Sequence, residues 1–186
     1  MSRRRLLATT GVLAAGGLAG CLGGDGGDGG SEAADGDTAD GGDGDGSADE
    51  GAWRTAELTT VRGEESFILD GLEPPVVVQS FAVWCPKCGR QSEELAALAG
   101  STTVVGLNTD PNEDAERVRR HAEQNGFDWR FAVVPAEMTD SLVEAFGPTV
   151  VNAPSTPLVI VCEGDATFDA GDVRNAEAVR ALIDGC

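Results

Sequence analysis

Two cysteines in the middle of the chain, Cys85 and Cys88, are separated only by Pro86 and Lys87, in the segment Phe81-Ala82-Val83-Trp84-Cys85-Pro86-Lys87-Cys88. That spacing lets the second sulfur close back on the first, the requirement for resolving a mixed disulfide within one molecule. The attacking species in such exchange is the thiolate, so the surroundings of the first sulfur decide whether the chemistry runs. An apolar, β-branched run from Val76 to Val83 ends just before Cys85, and helix-forming residues follow it. Cys85 therefore falls where a strand gives way to a helix, beside unpaired backbone N–H groups and the positive end of the helix dipole. Pro86 suits the first helical turn, where its missing N–H costs nothing. Lys87, the only lysine, adds a cation beside the pair, and Trp84 is placed to cover one side of it.

A lone CxxC can also be half of a zinc site, but zinc takes four ligands. The remaining candidates are His121 and the distant Cys162 and Cys186, so redox chemistry is preferred and neither a metal nor another cofactor is expected. Cys162 and Cys186 have two readings: a structural disulfide tying a late strand to the C-terminus in an oxidising compartment, or a buried small hydrophobe with a loose terminal thiol. A second redox shuttle is disfavoured, because neither cysteine opens a helix. His121, among Arg119, Arg120 and Glu123, reads as a solvated side chain. Arg117, Arg119 and Arg120 alternate with Glu113, Asp114, Glu116 and Glu123 as in i,i+4 pairing on a wet helix surface. Trp53 and Trp129 read as packing residues.

These residues are positioned by alternating elements. Val76–Val83 predicts a buried strand, Lys87–Ala99 a helix ended by Gly100, and Thr103–Leu107 a second strand. Asp110-Pro111-Asn112 is expected to open a helix running to Gln124 and stopped by Asn125-Gly126. Trp129–Val134 predicts a third strand and Ser141–Phe146 a short helix closed by Gly147-Pro148. Leu158–Cys162 predicts a fourth strand, with Asp165–Phe168 as its hairpin partner, and Ala176–Ile183 the closing helix. Strands alternating with helices, then a hairpin and a helix, imply an α/β fold with a mixed central sheet flanked by helices.

The net charge of −19 over 186 residues is extreme. From Gly51 onward 22 acidic residues face 10 basic ones, and 12 of the 13 basic residues in the whole chain are arginine. An acidic, lysine-depleted surface resembles that of halophilic proteins; the alternative is an ordinary acidic domain with skewed composition. No basic stripe exists to neutralise phosphates, which argues against nucleic-acid partners.

Before the globular part lie two other segments. Ser2-Arg3-Arg4-Arg5-Leu6-Leu7 and the short apolar stretch through Leu18 read as a signal peptide over residues 1–21. The stretch is about a dozen residues, short of the roughly 20 needed to span a bilayer. The paired arginines look like a twin-arginine export signal, and Leu18-Ala19-Gly20-Cys21 is similar to a lipobox, with Cys21 lipidated and the protein anchored on the extracytoplasmic face of the membrane. Residues 22–52, nearly all Gly, Asp, Ala, Ser and Glu, predict a disordered linker with an r.m.s. span of roughly 30 Å. Residues 53–186 form the expected domain.

The sequence Trp84-Cys85-Pro86-Lys87-Cys88 after an apolar strand resembles the thioredoxin superfamily, and the order of elements is similar to its membrane-anchored TlpA-like and ResA-like members. The resemblance implies a thioredoxin fold and thiol–disulfide oxidoreductase activity, with Cys85 attacking and Cys88 resolving. It implies cysteine-containing exported client proteins and an upstream thiol donor as partners, with a tilt toward reduction. Family members place a cis-proline opposite the pair; Thr156-Pro157 matches that position better than Pro154, and a cis bond there would leave the backbone before it free to pair with an extended client. Three departures stand out. The buried acid that many thioredoxins carry six residues before the first Cys is Gln79 here, the helix-kinking proline is replaced by Glu93, and Glu64, Glu65 and Glu94 are unplaced candidates for the missing carboxylate. A Sco-type copper-delivery protein shares the fold and an element like Asp110-Pro111, but is expected to have three residues between its cysteines and a ligand elsewhere than His121. A peroxiredoxin-like peroxidase would need Thr where Ala82 stands.

Overall fold

A computed structural model describes residues 51–186; the leader, Cys21 and the linker as far as residue 50 lie outside the described residues. The first element, α1 (Ala52–Thr55), contains the buried Trp53. Its backbone N–H donates to Ser141 Oγ at 2.9 Å and its ring meets Phe146 edge-on at 5.1 Å. Ala52, just ahead of that indole, is helical as well. Strands β1 (Leu58–Thr59) and β2 (Ser66–Phe67) form a small antiparallel pair, too short to show a hydrophobic period.

The central elements are β3 (Val76–Phe81), α2 (Pro86–Ala96), β4 (Thr103–Asn108), α3 (Ala115–Asn125), β5 (Arg130–Val133), α4 (Ala136–Phe146), β6 (Leu158–Val161), β7 (Ala166–Asp169) and α5 (Ala176–Ile183). The five-stranded sheet has the order β5-β4-β3-β6-β7. Strands β3, β4 and β5 are parallel, with Val76 opposite Thr103 and Val105 opposite Arg130, while β6 pairs antiparallel with β3 and β7 antiparallel with β6. This is the mixed α/β sheet expected from the element order.

All six residues of β3 are buried, as befits a central strand covered on both faces. Successive side chains leave on opposite faces. Val76 and Val78 join Trp53, Met138, Leu142 and Val159 under α1 and α4, while Val77 joins Leu95, Leu98, Ile160 and Val179 under α2 and α5. A third cluster gathers at the end of β3, where Phe81, Ala82, Cys85 and Cys88 meet Val118, Ala122, Phe127 and Phe131. Gly106 on β4 leaves room for that cluster, because a Cβ there would sit 2.5 Å from the Phe131 ring.

Two helix starts differ from expectation. Asp110-Pro111-Asn112 makes an Asx turn, with Asp110 Oδ1 accepting from Asn112 N at 2.8 Å, and α3 begins only after Asp114, whose side chain caps Arg117 N at 2.7 Å. Such short polar side chains favour local turns over continued helix. Helix α4 starts at Ala136, ahead of Ser141, because Met138, Ser141 and Leu142 form one buried face at i, i+3 and i+4 spacing. Among the described residues no helix is long and apolar enough to cross a membrane.

Candidate functional site

The parallel strands β3 and β4 both end at one edge of the sheet, and the loops leaving them meet there, the usual location of sites in open α/β sheets. Cys85 is the N-cap of α2, with extended backbone, Pro86 follows at the first helical position, and Cys85 Sγ accepts from Cys88 N–H at 3.2 Å. A sulfur in the place of an N-cap oxygen satisfies one of the orphan donors of the first turn. The same contact, with the helix dipole, favours negative charge on that sulfur.

The two cysteines form a disulfide with their Cα atoms 5.3 Å apart. Both are buried, Cys85 at 3% and Cys88 at 1% relative exposure. Cys88 Sγ lies 3.1 Å from the Ala153 carbonyl oxygen, the acceptor its thiol meets once the bond is reduced. Trp84, by contrast, is the large apolar side chain that stands out at the surface, 54% exposed. Its indole N–H donates to the Asp110 carboxylate. That bond, reinforced by Asn112 N–H, holds the Asp110 carboxyl below its ordinary value of 3.8.

Gln79 lies beneath α2, fully buried. Its Nε2 donates to Cys88 O at 2.9 Å and its Oε1 accepts from Ser92 Oγ at 2.8 Å. The carboxamide therefore staples the cysteine helix to the central strand and has no carboxyl proton to exchange. Glu64, Glu65 and Glu94 are engaged elsewhere: Glu64 is exposed, Glu65 faces Arg130 at 4.0 Å, and Glu94 accepts from Ala176 N at 3.0 Å. Lys87 reaches across to Asp172 Oδ1 at 3.3 Å, so its charge beside the pair is shared with an exposed acid. Gln91, also buried, clasps both the N–H and the carbonyl of Arg174, drawing the segment before α5 onto α2.

The loop from Ala153 to Pro157 runs past the disulfide, but without the expected isomer. The bonds into Pro154 and Pro157 are trans, and the cis bond among the described residues is Pro74–Pro75. The chain turns instead at Thr156, buried and left-handed at φ 45°, with its N–H on Ala153 O at 2.9 Å. That donor is taken, and the Pro157 carbonyl accepts from Ser80 N at 3.2 Å. The backbone N–H just before Pro157 is therefore not free for the client pairing that the family resemblance implied.

Cys162 and Cys186 form a second disulfide, Cα to Cα 5.4 Å, joining the end of β6 to the last residue. His121 corrects the solvated reading. Its ring stacks on Phe81 at 5.8 Å and meets Phe127 at 5.9 Å, and burial pushes its pKa below 6.5 against a smaller pull from Glu113. Glu113 corrects the wet-surface reading too. Its side chain is 1% exposed, whereas Glu116–Arg120 and Arg119–Glu123 are exposed pairs. Asn108, Asp110 and Glu113 were missed as neighbours of the cysteines. The available signal was their place just past a strand parallel to the one ending at Cys85. A cavity of about 980 Å³ opens between the starts of β3, β4 and β5, at the opposite end of those strands, and neither Cys85 nor Cys88 lines it.

The chain has a thioredoxin-like α/β fold, with a mixed five-strand sheet flanked by helices. A secreted Mycobacterium tuberculosis disulfide oxidoreductase homologous to E. coli DsbE matches it with a TM-score of 0.57 at 15% identity, over 72% of this chain and 98% of that one. The MTB DsbF protein, solved in mixed oxidized and reduced forms, matches at 0.54 and 19%, over 70% of this chain and 97% of its own. A thioredoxin-like protein from Aeropyrum pernix matches at 0.53 and 19%, over 72% and 90%. No family model and no curated protein matches the chain.

Proposed function

We propose that this protein is a thiol–disulfide oxidoreductase that reduces disulfides of exported proteins through Cys85 and Cys88. The observation that carries the reading is the Cys85 sulfur at the N-cap of α2, 3.2 Å from Cys88 N–H and bonded to Cys88 Sγ. In the reduced protein, the Cys85 thiolate attacks one sulfur of a client disulfide. A Cys85–client bond forms, the client disulfide breaks, and the departing client sulfur leaves as thiolate and takes a proton. Cys88, having lost its thiol proton, then attacks Cys85 Sγ and expels the second client thiolate. The client gains two electrons and two protons, and the protein is left as the Cys85–Cys88 disulfide. An upstream dithiol must return the electrons.

Export and anchoring rest on the leader sequence, with Cys21 as the lipidated residue and the acidic linker as the tether. The secreted neighbour of DsbE type is in keeping with a site outside the cytoplasm. Copper delivery gains no support from His121, which is packed between Phe81 and Phe127.

The test is insulin disulfide reduction in concentrated salt. Cys85→Ser abolishes turnover, and Cys88→Ser accumulates mixed disulfides that a thiol reagent releases; undiminished turnover in both variants refutes the proposal. Separately, Cys21→Ser moves the full-length protein from membrane to soluble fraction, and continued sedimentation with membranes rules out the anchor.

A further inference from the structure

Four residues, Ala82 to Cys85, join the end of β3 to the start of α2, and the loop after β4 grips the approach to them. Thr109 N donates to Phe81 O at 3.1 Å, and Asp110 holds Trp84. Between these contacts, the Val83 N–H donates to Glu113 Oε2 at 2.7 Å, and the same oxygen accepts from Asn108 Nδ2 at 2.6 Å. The other carboxylate oxygen, Oε1, is buried and faces Arg117 Nε at 3.2 Å without an aligned hydrogen bond. An enclosed carboxylate is costly unless it is paired and hydrogen-bonded. Here that group is aimed at the backbone two residues ahead of the first cysteine.

We infer that Glu113 is a positioning residue for the cysteine pair: by holding the Val83 N–H, its carboxylate fixes the joint from which Cys85 projects and so sets the effective concentration of one thiol toward the other. The inference rests on the thiol–disulfide reading of this site. Closing a disulfide between two groups already held in place forfeits less freedom than closing it across a loose joint. Both bonds from Val83 and Asn108 end on one oxygen, so a carboxamide at this position can accept both while carrying no charge.

The experiment equilibrates the full-length protein with reduced and oxidized glutathione and measures the fraction of Cys85–Cys88 disulfide. Thermal unfolding of each variant is followed in parallel. Losing the carboxylate that accepts from both Val83 and Asn108, Glu113→Ala shifts the equilibrium toward the dithiol by about tenfold. Glu113→Gln stays within about twofold of the natural protein, since it keeps the bonds. If Glu113→Ala does not fold, Glu113→Asp, a methylene too short to reach Val83, carries the same expected shift. A folded Ala or Asp variant with an unchanged equilibrium overturns the inference, as does a Gln variant shifted as far as they are. The readout is the protein's own dithiol, so a natural protein inert toward insulin defeats the oxidoreductase proposal and still leaves this equilibrium to be read.

Discussion

Trp84 shows how one side chain at the site is held in place by its charge environment. An exposed indole on a loop has several rotamers to choose from, and the Asp110 carboxylate selects one by accepting its N–H. The same bond lowers the Asp110 pKa below 3.8 in the folded state, while the unfolded carboxyl titrates near about 3.9. A depressed carboxyl favours folding above the unfolded value, and that contribution is lost as pH falls through the folded one. The Trp84 indole N–H resonance should therefore shift on acidification with a midpoint below 3.8, and Trp84→Phe should move the Asp110 midpoint upward. A titration of Asp110 unchanged by Trp84→Phe removes the link. His121 packs inward although Arg119, Arg120 and Glu123 flank it in sequence. Its partners Phe81 and Phe127 come from a strand end and a loop that no local pattern connects to it.

The strand–cysteine–helix unit was legible because its signals are local. A β-branched run, a Cys at the capping position and a proline after it each favour the conformation they adopt. Thr156 and Glu113 were not legible for the converse reason. The Thr156-Pro157 pair gives no local sign that the turn is made by a left-handed residue, and Glu113 looked like a surface partner of Arg117 because α3 was placed too early. With the helix beginning at Ala115, Glu113 lies in the loop before it and folds inward. The register of β4 against β5 brings Gly106 opposite Phe131, and the ring occupies the space a methyl group would need. Gly106→Ala should destabilise the domain by about 1–3 kcal/mol, the usual cost of overpacking a core. Chemical denaturation measures it, and a variant as stable as the natural protein shows that Phe131 moves aside freely.

Across the whole domain, two disulfides serve different ends of the architecture. The Cys162–Cys186 bond spans 24 residues and pins the last residue to the sheet. A loop of that length raises stability by about 3 kcal/mol through the unfolded chain. The double variant Cys162→Ala/Cys186→Ala should lose about that much in denaturant while keeping its rate of reaction at Cys85; an unchanged midpoint shows the bond to be dispensable. The acidic surface shares its few cations in pairs, most of them exposed and individually weak. One such pair has a practical outcome. The ammonium that meets Asp172 is the sole lysine side chain in 186 residues, so, apart from the chain's α-amino group, an amine-directed dye attaches here alone, in the turn of helix that carries Cys85 and Cys88.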